Sequence, residues 1–234
     1  MNEYMKTNLS AFILAIGIAV SGLAIGFGLY SLKTFEYVSV KGLAEKVVKS
    51  NDAVWQIRFS AAGDDLNSVY QQITQSQNKV KDFLKHQGFQ DSEMELMTVD
   101  ITDNQAQSYN NKVGKRYSSN GGVMLHTGSV DQVIAAQQKV SQLVQQGVVL
   151  TQSQANYYFT KLNDIKLEML NEATKNAQNS AEAFAVRAHN DLGKIHNASQ
   201  GLFTITDVSP QTYGPNVSVM KNVRVVTTVE YFLK

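Results

Sequence analysis

The sequence predicts an α+β domain in which antiparallel sheet carries helices on one face, preceded by one transmembrane helix. Three observations lead there. Ala53 to Thr160 reads strand, helix, strand, strand, helix, strand, the order of a split β-α-β layer. A long alanine-rich helical stretch then joins that layer to C-terminal strands. Ahead of everything, Thr7 to Leu32 contains no charged side chain. The expected division is an anchor over residues 1–33 and one soluble domain over 34–234.

The anchor rests on length and hydropathy. A helix rising about 1.5 Å per residue crosses about 30 Å of hydrocarbon within such a run. Its twelve Leu, Ile, Phe and Val residues contribute on the order of −5 kcal/mol to insertion, before glycine and serine subtract. A cleaved signal peptide is the rival, with Ala19-Val20-Ser21 as its small-residue site, but the apolar run continues well past Ser21. Gly22 and Gly26 form a GxxxG through which anchors could pair. Flanking charge decides little, since Lys6 and Glu3 precede the run and Lys33, Glu36 and Lys41 follow it. A very short tail before a long C-terminal domain resembles a signal anchor, which in a bacterium places the domain in the periplasm.

Glu36 to Val48 predicts a first strand with a bulge at Gly42, and Asn51-Asp52 a turn. Ala53 to Ala61 alternates cleanly, with Trp55, Ile57, Phe59 and Ala61 on one face. Gly63-Asp64-Asp65 opens a helix whose apolar face is Leu66, Val69, Tyr70, Ile73, Val80, Phe83 and Leu84, and Gly88 stops it. Glu93 to Thr102 returns as a strand. Asp103 to Lys115 is polar and predicts a flexible hairpin arm or extended loop. Arg116 to Thr127 predicts a strand bulged at Gly121-Gly122. Gly128-Ser129 caps a helix through Val130, Val133, Ile134, Val140, Leu143 and Val144, ended by Gly147. Val148 to Thr160 holds a strand at each end.

Leu162 to Leu192 predicts one long helix. Ile165, Met169, Ala173, Ala177, Ala181, Phe184, Ala185 and Ala188 recur at spacings of three and four and so share a face. Asn163 is its candidate cap, and Gly193 the left-handed residue that ends it. From Ala173 onward the face is small, so something flat can seat closely on it: the domain's own sheet or a neighbouring subunit. Lys194 to Asp207 and Val219 to Leu233 then predict strands, the second with Val219, Val223, Val225, Val229, Tyr231 and Leu233 on one face. Both prolines, Pro210 and Pro215, fall in the loop between them.

A formal charge of +1 with no basic run argues against a nucleic-acid partner. The lack of cysteine excludes disulfides, thiol catalysis and zinc–thiolate sites.

Three stretches together resemble the SIMPL-domain family of bacterial envelope proteins: the strand Val38-Ser-Val-Lys-Gly42, the helix Glu172-Ala-Thr-Lys-Asn-Ala-Gln-Asn-Ser-Ala-Glu-Ala-Phe-Ala185 followed by Asp191-Leu-Gly-Lys-Ile195, and the closing valine-rich strand. The resemblance runs from about Val38 to Leu233. It departs at Asn176, Gln178 and Asn179, where the family has a more Ala/Arg-rich helix. It implies an α+β domain, export to the periplasm, self-assembly into ring-like oligomers and a loose link to envelope and oxidative stress. It implies no active site.

The residues point the same way on chemistry. His86 suits a helix C-terminus, and no HxxxH or HExxH joins any two of His86, His126, His189 and His196. Asp64 and Asp65 read as caps, and Asp100 and Asp103 as turn formers. Gly121-Gly122 lacks the flanking glycines of a phosphate loop. Tyr157-Tyr158-Phe159 and Tyr231-Phe232 read as packing. No catalytic, cofactor-binding or metal-binding residue is expected. The function expected is therefore a non-enzymatic, membrane-tethered envelope scaffold that self-associates, with Gly22, Gly26, Ala173, Ala177, Ala181 and Ala185 as candidate contacts. The alternative is a binding module that admits a lipid or small hydrophobic ligand between sheet and helices.

Overall fold

The computed structural model describes residues 14–27, 36–106, 114–208 and 216–234. Residues 14–27 form helix α1, whose residues are all exposed. Among the described residues no helix is long and apolar enough to cross a membrane; the rest of the expected anchor lies outside them. The arm expected within Asp103 to Lys115 falls outside them from 107 to 113, as do both prolines.

The rest builds two antiparallel sheets. The strands β2 (Asp52–Gly63), β3 (Met94–Asp103), β4 (Tyr117–Thr127) and β5 (Val149–Tyr158) lie in the order β3-β4-β2-β5. Helices α2 (Leu66–His86), α3 (Val130–Gln137) and α4 (Ser141–Gln145) join them. This is the expected split β-α-β layer. Alternation along β2 sends Trp55, Ile57 and Phe59 inward, where all three are fully buried. Ile73, Phe83 and Leu84 from α2 and Leu143 from α4 complete that core. It fills the space between sheet and helices in which the alternative reading would seat an apolar ligand.

Helix ends follow from backbone needs. The Asp65 carboxylate accepts from the Ser68 N–H at 2.8 Å and caps α2. Gly88 and Gly147 both take positive φ and end α2 and α4 as expected. Two expected members of the α2 apolar face, Leu66 and Tyr70, are instead exposed. The helix expected from Val130 to Val144 breaks into α3 and α4 at residues 138–140.

No bulge forms at Gly121-Gly122. The β2–β4 register runs unbroken through Gly121 and Gly122. These residues are small because of their neighbours: a β-carbon on Gly122 would fall 2.8 Å from Met97 Sδ and 3.0 Å from the Ile57 carbonyl. The shift lies instead in β3, between Met97 and Asp100. The stretch from Val148 is likewise one strand, β5, whose irregularity faces Arg58 and Phe59.

The second sheet pairs the domain's first strand with its last. β1 (Tyr37–Lys49) runs antiparallel to β8 (Met220–Leu233) over its whole length, from Tyr37 opposite Phe232 to Lys49 opposite Met220. No bulge interrupts that register, so the one expected at Gly42 is absent. On its other side β8 carries β6 (Leu192–Gln200) and then β7 (Thr204–Asp207), in effect one edge strand broken at residues 201–203.

Helix α5 (Leu162–Arg187) lies across this second sheet, over β1 and β8. It ends five residues before Leu192, and Gly193 is part of β6 rather than the stop. The left-handed residue is His189, at φ 57°. The His189 N–H reaches the Val186 carbonyl and the Asn190 N–H the Ala185 carbonyl, which satisfies the last turn. Nor does Asn163 cap the helix: the N-cap is Lys161, without a side-chain bond.

Two chain crossings, β1 to β2 and β5 to α5, join the two sheets side by side. Asn51 ties them together, donating from Nδ2 to Thr160 Oγ1 and accepting at Oδ1 from the Thr160 N–H, both at 2.8 Å.

Candidate functional site: the helix seam and the open strand edge

The seam expected on the long helix exists, and the chain's own sheet occupies it. Met169, Ala173, Ala177 and Ala181 are fully buried and Ala185 nearly so, against Val40, Ala44, Val223, Val225 and Val229. Alanines four apart let the helix axis approach closely, and Gly42 receives it. A β-carbon at Gly42 would lie 1.8 Å from the Ala173 carbonyl oxygen. Of the two partners expected for this face, the sheet is the one present. Ala173, Ala177, Ala181 and Ala185 are thereby corrected as contacts between copies, because no surface remains on them to offer. Gly22 and Gly26 lie on α1 with no atom within 4 Å of their β-carbon positions.

What this sheet leaves open is the far edge of β1. Val226, opposite Leu43, gives its carbonyl to the Gly201 N–H at 2.9 Å and so faces β6. The Leu43 backbone therefore points away from β8. By alternation the backbones of Tyr37, Ser39, Lys41, Glu45, Val47 and Lys49 do the same, with their side chains on the face away from α5. Asn176 Nδ2 donates to the Leu43 carbonyl at 2.8 Å, a helix side chain reaching round to the edge. Among the described residues no strand pairs there.

The other edges are blunted. β3 and β5 carry register shifts, β6 carries two, and β7 is four residues long. Bulges and short strands are how sheets discourage pairing with another chain. β1 has thirteen residues, unbroken register and exposed Tyr37, Leu43 and Val47. The alternation of Ser39, Lys41, Leu43 and Glu45 was the sequence signal for this edge. What hid it was the absence of any sign that β1 pairs with β8 alone.

The polar residues singled out by sequence disperse. His86 Nδ1 lies 2.7 Å from the Asp82 carbonyl, and His126 Nε2 2.9 Å from Asp52 Oδ1. His196 lies between the rings of Tyr37 and Phe232. Among the described residues no three His, Asp or Glu side chains group to hold a metal ion. Asp64 does not cap α2: it meets Lys115 Nζ at 2.5 Å and the Arg116 N–H at 3.2 Å. The Lys115 hydrogen bond, then that N–H, hold its carboxyl below the usual range. Arg116 does the same for Asp103. Carboxyls so lowered are poor proton donors near neutral pH. A groove of about 700 Å³ opens on the helix-free face of the first sheet, lined by Arg58, Glu95, Met97, Asp100, Asn120 and Gln152 among others.

Residues 38–230 match the model of the SIMPL family, described as a protein of unknown function (DUF541). The chain belongs to the SIMPL family. The matched span starts in β1 and ends in β8, so both sheets and α5 lie within the SIMPL domain. No curated protein matches it. Three solved structures from Listeria innocua are similar over 77% of this chain and 90% of theirs, at 10% identity. One is an uncharacterized conserved protein, with a TM-score of 0.25, and two are described as hydrolases, with TM-scores of 0.24 and 0.23. Likeness at that level carries no argument about activity in the SIMPL domain here.

Proposed function

We propose that this SIMPL protein is a single-pass inner-membrane protein whose domain stands in the periplasm and acts as an envelope scaffold by assembling with copies of itself. The observation that carries the reading is the long, bulge-free edge of β1, which bears Lys41, Glu45 and Lys49 and lies only a few residues beyond the uncharged run Thr7 to Leu32. A tether so close to an open strand confines copies to one surface and raises their effective concentration, so weak edge contacts suffice. Leu14, Leu23 and Phe27, on the described part of that run, are each more than 65% exposed.

The test is the mass of the full chain in mild detergent, by light scattering on a sizing column or by native mass spectrometry. The expected result is a defined multimer. A monomer that persists at high concentration overturns the scaffold reading. A monomer that carries added ligand mass establishes the binding-module alternative in its place.

A further inference from the structure

We infer that β1 pairs antiparallel with β1 of a second copy, about a two-fold axis through Leu43. This rests on the self-association proposed above and names the surface that performs it. An edge whose outward N–H and C=O groups belong to alternate residues can take a strand only with odd residues opposite odd residues. In the register centred on Leu43, Lys41 stands opposite the second copy's Glu45, and Glu45 opposite its Lys41. The exchange satisfies both charges twice, as a two-fold interface requires. Directly opposed β-carbons lie about 4.5–5.5 Å apart, within ion-pair reach.

Neighbouring registers fail on charge. A shift that centres the pair on Lys41 sets that lysine against its own copy, and one centred on Glu45 does the same to the glutamate. The two registers between them set Lys41 against Leu43 or Val47 and form no Lys41–Glu45 pair. In the favoured register Ser39 meets Val47, and on the α5 side Gly42 meets Ala44, with the Asn176 side chain of each copy beside the axis.

Neither flanking contact forbids the pairing. Asn176 uses one lone pair of the Leu43 carbonyl and leaves the other for the second copy's N–H. Glu45 has Arg224 Nε at 3.5 Å, a half-exposed pair that leaves its carboxylate able to accept from a second cation. Phe184, 59% exposed, lies two helical steps of four beyond Asn176 on the flank of α5 that looks past β1.

The chain contains no cysteine, so a single introduced thiol reports on self-contact alone. Leu43→Cys in the detergent-solubilised full chain should give a covalent dimer under mild oxidation, because the axis brings the two positions together. Asn197→Cys, on the bulged β6 edge, should not. Lys41→Glu or Glu45→Lys alone should reduce Leu43→Cys cross-linking at least tenfold, and the double exchange should restore it. A multimer in which Leu43→Cys fails to cross-link overturns the strand pairing and leaves the scaffold reading intact. A parent chain that is monomeric overturns both. Cross-linking that ignores the single charge reversals overturns the register.

Discussion

Gly42 of β1 faces the backbone of Ala173 on α5 with no room for a side chain between them. The position of the missing Gly42 β-carbon lies 1.8 Å from the Ala173 carbonyl oxygen and 2.5 Å from the Ala177 nitrogen. Both neighbours are backbone, so neither can rotate aside. Gly42→Ala must lift α5 from β1 and open the layer holding Ala177 and Ala181. The expected loss is about 1–3 kcal/mol, the range for overpacking, read from the midpoint of urea unfolding.

Lys221 is 1% exposed and bonds through Nζ to Asp207, whose side chain is 10% exposed. This pair joins β7 to β8. Removing one partner strands a charge, so Lys221→Met alone should cost about 3–5 kcal/mol. The double variant Lys221→Met/Asp207→Leu should recover most of that, as paired apolar replacements of buried ions commonly do. A double-mutant cycle by chemical denaturation measures the coupling. A loss in the double variant equal to the sum of the two single losses would show that the pair contributes nothing beyond its separate parts.

His189 holds φ 57° after the last turn of α5. A side chain there strains the backbone by about 1–2 kcal/mol relative to glycine, offset in part by the freedom glycine gains when unfolded. His189→Gly should therefore stabilise the fold by about 0.5–1 kcal/mol, read as a higher urea midpoint with an unchanged slope. A lower midpoint would mean that the imidazole makes a stabilising contact outweighing its strain.

Acid should weaken the fold in a defined direction. Asp64, Asp91 and Asp103 are held below the usual aspartate range, first by hydrogen bonds from Lys115, Lys85 and Arg116 respectively. A carboxyl lowered on folding contributes stability that is complete above its unfolded pKa and is lost as pH falls through its folded value. Stability should thus decline below about pH 4, and less steeply when salt screens these exposed pairs. Asp64→Asn/Asp91→Asn/Asp103→Asn should flatten the decline in a series of urea melts from pH 5 to pH 2.

Period was the legible part of this fold. Trp55, Ile57 and Phe59 announced β2, and the four-residue spacing from Met169 to Ala185 announced α5 and its seam, because burial on one face leaves a periodic trace. Glycine was ambiguous. Gly42, Gly121 and Gly122 mark close contacts with side chains or backbone from other elements, which no local pattern encodes. Gly193 drew the end of α5 too far because glycine is the usual sign of a helix end, whereas the residue that takes positive φ here is His189. Lys41 and Glu45 were visible as charges, yet their meaning depends on which side of β1 is paired.

That β1 pairs with β8 also bears on the order in which the domain can form. A ribosome releases Val38 long before Tyr231, the residue it will lie beside. Until then α5 has only half a seat, whereas β2 through β5 are contiguous and can close at once. The leading strand thus stays orphaned for most of synthesis, beside a first sheet that is complete only once Tyr158 has emerged, and truncation inside β8 leaves that strand unpaired for good.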